Sequence, residues 1–474
     1  MFDPHACRSF SRLLRLIDLL LTMRDGRAQA EGGDMSARAP VEVGADVCVI
    51  GGGPAGSTAA ALLATAGRSV ALFEKEIFPR FHIGESLLPY NMDLLRRLGI
   101  LDRVAERFVE KWGAHLVSSD GAITRDIVFA EGFVPGHPKA YQVLRSSFDE
   151  LLLRNAADRG ARVYEGHAVI EATHSHRDGC AVTARGRDGG TVRCRARFLL
   201  DASGRDAFVA SRRGLRDMMP RLRKAAIFAH YEGVPRTPGS AGGNIVLVLL
   251  RDGWFWFIPL PGGTTSVGLV GEGATLRRSG LPPESLLEEA LRRCPAARDR
   301  TRVARRVSTV WTASDYSYGC RRIAGDGYLL LGDAAAFIDP LFSTGVWLAM
   351  SSAEIAADML DRALGRDGSR GDLTPAVFAA YEKKVRRHVR IYSRIVSRFY
   401  QPGFLDVFLR PGERFRIREA VISLLAGMAD PTPPVRLRLW CFYLVIRMQR
   451  LLKFNPPVPL LGVLEPAPGS PIPA

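Results

Sequence analysis

The sequence predicts an α/β fold in which a parallel sheet is interrupted by a β-rich region and followed by helices. Three observations support this prediction. A glycine-rich turn at 51–56 lies between a short β-branched run and a helix-forming run. Short apolar runs separated by glycine-containing turns occupy residues 160–330. The C-terminal third has a helical and basic composition.

The composition is that of a globular protein. The chain has 474 residues, of which 65 are Lys or Arg and 49 are Asp or Glu, so the formal charge is +16. Hydrophobic residues make up 47% of the chain, which excludes a wholly disordered chain and a small disulfide scaffold. The seven cysteines contain no C-x-x-C pair, so we expect reduced thiols, a cytoplasmic location and no metal site.

The positive charge does not by itself predict a nucleic-acid partner. Most basic residues are arginines scattered through helical stretches without a nucleic-acid motif, so the charge favours an acidic partner or an anionic substrate. The apolar run at 13–23 is short and contains Arg15 and Asp18, so neither a membrane span nor export is predicted. We expect residues 1–40 to be a disordered extension or the product of a start codon upstream of the true one.

The first predicted unit is β-α-β. Residues 45–50 are short, apolar and β-branched, as in a buried parallel strand. Residues 57–66 favour a helix, and 68–73 form a second strand that ends at Glu74. The turn between the first strand and the helix has the pattern G-x-G-x-x-G.

The glycines of this turn each have a physical property that suits a dinucleotide-binding site. Gly51 permits the tight turn, Gly53 lets the backbone approach a pyrophosphate, and Gly56 lets helix and strand pack closely. Ala55 lies in the same segment, and Glu74 is placed to accept hydrogen bonds from ribose hydroxyls. A purely structural glycine-rich turn is the alternative.

The remaining elements follow along the chain. A last buried strand, a helix from about 346 to 364 and an aromatic, arginine-rich helix at 436–452 are predicted, and the proline-rich tail from Asn455 is expected to be irregular. The 436–452 helix suits a core, a membrane surface or a docking face. The predicted strands are 161–164, 181–184, 197–201, 244–250, 253–259, 265–270 and 328–331.

Several motifs then point to one family. Gly332-Asp333 follows a buried strand, as in the second FAD motif of flavoprotein monooxygenases. Residues 254–259 match W-x-W-x-I-P, and residues 111–114 match K-x-G-A. The loops 78–89 and 332–346 complete the set. The sequence therefore resembles the flavin-dependent halogenases of the FAD-dependent monooxygenase superfamily, from about Ala45 to at least Asp430.

The resemblance implies a Rossmann-type FAD-binding domain with an inserted β-rich substrate domain and a helical C-terminal region. After the extension at 1–40, we expect the FAD-binding domain at 41–160 and 310–365. The substrate domain is expected at 161–309, and the helical region with its proline-rich tail at 366–474.

The resemblance also implies a chemistry. Reduced FAD, molecular oxygen and chloride or bromide make hypohalous acid, and Lys111 delivers the halogen to an electron-rich ring. The backbone amides of Thr344 and Gly345 would hold the halide, while Trp254 and Trp256 would separate flavin from substrate. The alternatives are a surface lysine, an ordinary helix N-cap and a pair of core aromatics.

Two further residues are implied to contact the cofactor. Arg145 would pair with a phosphate or the ribityl chain, and Asp333 would bind the ribityl or pyrophosphate portion. A surface salt bridge and an N-cap are the respective alternatives.

The expected partners follow from the same resemblance. A separate flavin reductase would supply reduced FAD, and the ring, expected to be phenolic, would be free or tethered to an acyl-carrier protein. Phe342 stands where tryptophan halogenases carry a glutamate, which disfavours free tryptophan. The competing functions are a flavin hydroxylase, a prenyl-chain reductase, or a flavoprotein with only a scaffolding role.

Overall fold

The computed structural model describes residues 39–365, 371–410 and 414–464. Apart from residues 39 and 40, the extension predicted at 1–40 lies outside the described residues. The tail predicted to be irregular contains no helix or strand over its described part, 455–464.

The strands are given in chain order. They are β1 Val41–Ile50, β2 Val70–Glu74, β3 Val109–Lys111, β4 Gly113–Ser118, β5 Thr124–Val128, β6 Ala140–Gln142, β7 Arg162–Glu165, β8 His167–Ser175, β9 Gly179–Gly186, β10 Thr191–Asp201, β11 Arg216–Glu232, β12 Ile245–Leu249, β13 Gly253–Pro259, β14 Thr264–Glu272, β15 Arg305–Arg306, β16 Trp311–Cys320, β17 Ala324–Gly325, β18 Tyr328–Leu330 and β19 Ala336–Phe337.

The α-helices are numbered in the same way. They are α1 Pro54–Thr65, α2 Asn91–Arg97, α3 Leu101–Arg107, α4 Arg145–Asp158, α5 Phe208–Arg212, α6 Gly273–Arg278, α7 Pro283–Arg293, α8 Pro295–Thr301, α9 Thr344–Ala363, α10 Ala379–Phe399, α11 Phe404–Phe408, α12 Ile417–Leu425 and α13 Pro433–Leu452.

The first sheet is a parallel core with an antiparallel flank. Its strand order is β17-β18-β10-β1-β2-β7, and β1 pairs in parallel with both β2 and β10. The antiparallel pair β8 and β9 extends it through β10. Apolar residues fill the central strands, because helices such as α1 and α9 cover the sheet. The predicted β-α-β unit is confirmed.

The second sheet is mostly antiparallel, in the order β19-β16-β11-β14-β13-β12-β4-β5, with β15 attached to β11. The predicted strands at 244–250, 253–259 and 265–270 become β12, β13 and β14, and β4 and β5 from earlier in the chain join them. The domain boundaries given above stay a prediction.

The C-terminal helices α10 to α13 pack beside the second sheet. Their apolar residues form one cluster with β13 and with the segment that precedes α9. The mixed α/β fold with a helical C-terminal region is thus confirmed. Within the described ranges, no helix is long and apolar enough to cross a membrane.

The packing at Gly56 gives a test of the β-α-β unit. A Cβ atom at Gly56 would lie 1.8 Å from the Gly51 carbonyl oxygen, whereas one at Gly44 would meet nothing within 4 Å. We expect Gly56→Ala to lower the free energy of unfolding by about 1–3 kcal/mol, since backbone must move. Gly44→Ala should change it by less than about 0.5 kcal/mol. Denaturant unfolding of both variants checks this, and equal effects would contradict the packing.

Candidate active site

After the glycine-rich turn, the N-terminus of α1 has free backbone amides that suit an anion. Gly53 is the N-cap of α1, no side chain caps this end, and the Ser57 amide makes its bond to the Gly53 carbonyl at 3.0 Å. The amides of Ala55 and Gly56 precede that bond and have no carbonyl acceptor within the helix. At φ +98°, a Cβ atom on Gly51 would lie 2.4 Å from the Ala202 carbonyl oxygen, so the turn requires glycine.

Glu74 lies beside this turn at the end of β2. Its buried carboxylate accepts hydrogen bonds from the amides of Gly52 at 2.6 Å and Glu76 at 2.8 Å. Each oxygen retains a further lone pair. The structure thus fixes the carboxylate next to the cradle, and its contact with a ribose stays a prediction.

The two predicted flavin motifs meet in space. A Cβ atom on Gly332 would lie 3.3 Å from the Ala55 Cβ, so the Gly332-Asp333 turn packs against the start of α1. Asp333 is half-buried, and desolvation raises its pKa to about 6, a rise that the Arg145 guanidinium limits. Together with the uncapped helix end, this arrangement fits an extended dinucleotide such as FAD.

Arg145 is buried at the start of α4 rather than at the surface. Its Nε and Nη2 each lie 2.7 Å from a carboxylate oxygen of Asp149, and its Nη1 donates to the Ile83 carbonyl at 2.5 Å. The surface salt bridge considered as an alternative is therefore wrong, because the ion pair is buried. The buried Nη1 of Arg80 lies 3.2 Å from the Asp149 Oδ2, so Arg80 and Arg145 share one carboxylate. The contact of Arg145 with a phosphate stays a prediction.

Lys111 ends β3 with its side chain inside the protein. It is 2% exposed, its Nζ donates to the Ser86 Oγ at 2.8 Å and to the Leu87 carbonyl at 2.9 Å, and it lies 5.2 Å from the centroid of the Phe129 ring. The surface-lysine alternative is therefore wrong.

The surroundings of Lys111 favour the neutral amine. Burial lowers the pKa of Lys111 to about 7, and no carboxylate of the described residues forms an ion pair with it. Near neutral pH a large fraction of the molecules therefore carries an amine with a free electron pair.

The segment that hydrogen-bonds to Lys111 carries a second polar pair on its other side. Residues 85–87 run extended beside 141–143, joined by the Val143 amide to the Glu85 carbonyl at 2.7 Å. Side chains alternate along such a segment, so Ser86 meets the lysine while Glu85 lies on the other side. There the Glu85 Oε1 lies 2.9 Å from the His230 Nε2, and its buried Oε2 has no hydrogen-bond partner among the described residues. The motif at 78–89 includes Glu85, but the sequence alone predicts no role for Glu85 or His230.

Trp254 and Trp256 share one face of β13, as their spacing predicts. Both are buried, with ring centroids 5.8 Å apart, and both belong to the apolar cluster that contains Phe129 and Phe342. They therefore belong to the same apolar cluster as the ring beside Lys111 and as a residue just before α9. Their role as a barrier stays a prediction.

A buried hydrogen-bond chain joins Trp254 to the loop 332–346, which is called the halide loop below because the halide site is predicted at its end. The Trp254 Nε1 donates to the Tyr400 hydroxyl at 3.0 Å, and that hydroxyl donates to the Asp339 Oδ2 at 2.8 Å. Asp339 also accepts from the Leu341 amide at 3.0 Å, in the turn Pro340–Phe342. Tyr400 was missed because it lies 61 residues from Asp339 in the chain.

The halide loop offers free donors at the start of α9. Ser343 occupies the N-cap position at φ +58° but its side chain makes no capping bond. The Thr344 Oγ1 is buried and accepts or donates no hydrogen bond within the described part of the chain, where a Cβ atom on Gly345 would also meet nothing within 4 Å. Ser343 is thus the N-cap residue without a side-chain capping bond, and this leaves the first amides of the 20-residue helix available to an anion, so the N-cap and halide interpretations are compatible.

The fold and the nucleotide cradle define an FAD-dependent oxidoreductase. The sequence profile of the FAD binding domain family matches residues 44–391, which is most of the chain. The Rossmann-type sheet, the α1 cradle and the Gly332-Asp333 turn all lie within these residues.

The relatives narrow the class. A 1H-pyrrole-2-carbonyl-(peptidyl-carrier protein) chlorinase of Pseudomonas fluorescens is 30% identical, covering 81% of this chain and 89% of its own. A tryptophan 2-halogenase of Chondromyces crocatus is 35% identical over 75% of this chain and 67% of its own. The structure of the flavin-dependent brominase Bmp2 has a TM-score of 0.75, with 27% identity over 86% of this chain and all of that one.

The chain belongs to the flavin-dependent halogenases. It is an FAD-dependent enzyme that uses a halide, as the sequence motifs predicted. The hydroxylase, prenyl-chain reductase and scaffolding alternatives are not supported by these relatives.

The pKa of Lys111 predicts a pH-dependent stability. An unfolded lysine stays protonated to about pH 10, whereas the native amine loses its proton above about pH 7. The unfolded state then binds more protons, so native stability rises with pH. From pH 7 to 9 the free energy of unfolding should rise by about 2 kcal/mol relative to Lys111→Met.

The matched control is Lys139→Met. Lys139 pairs with Glu110 at the surface, and its pKa is raised, so its removal should leave the slope between pH 7 and 9 unchanged. Denaturant unfolding at four pH values measures both. Parallel curves for the native protein and Lys111→Met would show that the buried amine is not neutral.

Proposed function

We propose that the enzyme halogenates an electron-rich aromatic ring presented on a carrier protein, with Lys111 as the residue that transfers the halogen. The observation that carries this proposal is the buried amine of Lys111, which donates to Ser86 and Leu87 and forms no ion pair with a carboxylate of the described residues. The name of the Pseudomonas chlorinase supports the carrier-bound substrate.

The cofactor would lie between the two motifs that pack together. Gly51, Gly53, Ala55 and Gly56 would hold the pyrophosphate at the end of α1, with Glu74, Arg145 and Asp333 around the remainder. Bound in its reduced form, FAD would supply two electrons to molecular oxygen, so that one oxygen atom leaves as water and the other oxidises the halide to hypohalous acid. The chain contributes the positioning of the reactants and the exclusion of water.

The halide would bind at the start of α9. The amides of Thr344 and Gly345 supply N–H donors, and the positive end of the helix dipole favours an anion there. The absence of a side-chain cap leaves these amides unoccupied by the protein.

The two hydrogen bonds of Lys111 orient its nucleophilic electron pair. A neutral amine has two N–H groups, which the Ser86 Oγ and the Leu87 carbonyl accept, so the lone pair is left for the halogen. The amine attacks the halogen of hypohalous acid and loses a proton, giving a haloamine and water. The ring then takes the halogen and returns its proton to the nitrogen, which restores the amine.

The indoles would keep the two halves of the reaction apart. Trp254 and Trp256 are buried in the apolar cluster shared with Phe129, which contacts Lys111. Such a wall stops the ring from meeting the flavin directly.

The remaining partners are proposals of the same kind. A separate flavin reductase would supply reduced FAD. We place the enzyme in the cytosol on the basis of six free thiols in the described part of the chain, five of them buried.

The direct test is the mass of the product. The native enzyme, with FAD, a flavin reductase and bromide or chloride, is offered pyrrole and phenol acids on a carrier protein, the same acids free, and free tryptophan. We expect halogen incorporation on the carrier-bound ring, seen from the isotope pattern. Halogenation of free tryptophan alone would overturn the substrate proposal, and oxygen incorporation without halogen would overturn the reaction.

The role of Lys111 is tested with the two lysine variants. Lys111→Met should lower halogenation at least about a hundredfold while FAD binding stays within twofold. Lys139→Met, at a partly exposed position next to Ala140, the strand partner of Lys111, should retain the native rate. Undiminished turnover by Lys111→Met would exclude it as the halogen carrier.

The halide site is tested through one amide. Gly345→Pro removes an N–H group in the first turn of α9, where proline is tolerated, so the KM for halide should rise about tenfold or more. Gly345→Ala keeps the amide and has free space for its methyl group, so its KM should stay within twofold. FAD binding by both variants controls for folding, and equal KM values would place the halide elsewhere.

A further inference from the structure

Helix α13 has two apolar faces, of which only one is buried. The buried face contacts the apolar cluster through Val435, Leu439, Phe442 and Ile446. On the opposite face, five large apolar residues are between 41% and 74% exposed and recur every three or four positions, so they form one stripe. This outer stripe consists of Leu437, Trp440, Leu444, Met448 and Leu451.

The outer stripe is bordered by positive charge. Arg436, Arg447 and Arg450 are exposed beside it and make no ion pair with a described residue, and Pro433–Leu452 contains no acidic residue. A large apolar stripe with an arginine rim has the composition of a protein interface.

The start of α13 reaches the segment that covers the lysine. The Arg438 guanidinium lies 5.2 Å from the Phe133 ring centroid, and the Phe133 amide donates to the Ser423 Oγ on α12 at 2.7 Å. Phe133 follows the turn Phe129–Glu131. The Phe129 ring in turn lies 5.2 Å from the Lys111 Nζ. The first turns of α13 thus contact the segment 129–133, whose Phe129 ring lies beside the Lys111 amine.

We infer that the outer stripe and its arginines are the docking site for an acidic helix of the carrier protein, an inference that rests on the proposed function. The arginines supply the field that steers an acidic partner, and Trp440 and Leu444 supply the apolar anchor. Because α13 contacts the segment 129–133 beside Lys111, the outer stripe suits the protein that delivers the ring.

Two other occupants fit less well. A second copy of this chain would bring the same arginine rows together across a symmetric interface, and each copy carries a charge of +16. An anionic lipid surface suits an apolar and basic helix, but lipid binding does not explain why the start of α13 packs on Phe133, close to the Lys111 site.

The test uses a peptidyl-carrier protein loaded with pyrrole-2-carbonyl and the full-length enzyme. We expect Trp440→Ser combined with Leu444→Ser, and separately Arg447→Glu, to weaken carrier binding tenfold or more. Val303→Ser and Arg177→Glu change equally exposed residues far along the chain and should stay within twofold. Since the changed residues are exposed, thermal unfolding should be unaffected.

Kinetics separates docking from chemistry. The stripe variants should raise the KM for the carrier-bound ring about tenfold with kcat unchanged, and they should halogenate the pantetheine thioester of the same acid at the native rate. Native carrier binding by the stripe variants, with halogenation of the carrier-bound ring intact, would refute the docking site and leave the proposed function standing. Failure of the native enzyme on every carrier-bound ring would refute both.

The competing occupants have their own readouts. Sedimentation with phosphatidylglycerol vesicles and the mass in solution are measured for the native protein and the stripe variants. The inference is overturned if the variants lose vesicle binding or self-association while carrier binding is unchanged. It is supported if carrier binding alone changes.

Discussion

The burial of one amine without a neighbouring acid is the constraint on which this site depends. An ammonium group at Lys111 would lose its hydration and gain no carboxylate partner, so burial lowers the pKa to about 7. The proposed halogen transfer gives this cost a function, because the neutral amine is the nucleophilic form of lysine. A carboxylate beside Nζ would stabilise the fold but would restore the charge and remove the electron pair from the chemistry.

The surrounding structure keeps that amine both buried and oriented. The extended segment 85–87 gives it two acceptors on one side, and the Phe129 ring closes another. The same segment carries Glu85 on its opposite face, against His230. One short piece of backbone therefore has Lys111 on one side and the Glu85–His230 pair on the other, and the hydrogen bonds from Trp254 through Tyr400 to Asp339 tie β13 to the loop that precedes α9.

The sequence predicts the parts of this enzyme that depend on local patterns. The β-α-β unit follows from the G-x-G-x-x-G turn between apolar runs, and β12 to β14 follow from their spacing and turns. Which side chains meet between those elements depends on tertiary contacts, which local sequence patterns do not show. Nothing near Tyr400 in the chain indicates that it meets Trp254, and composition alone favours a surface position for Lys111. The bidentate pairing of Arg145 with Asp149 is local, at i and i+4, but its burial is not.

The sealed site also explains why delivery of the ring calls for a surface outside it. The amine of Lys111 must stay neutral and shielded from water, so a large carrier protein cannot contact it directly. A ring on a tether can reach the amine while its carrier stays outside. Such a carrier needs an anchor close to the entrance, and the interface must be weak enough to release the product. An arginine-rimmed apolar helix whose first turn packs on the lysine cover meets both needs, since charge speeds association while a short stripe limits the buried area.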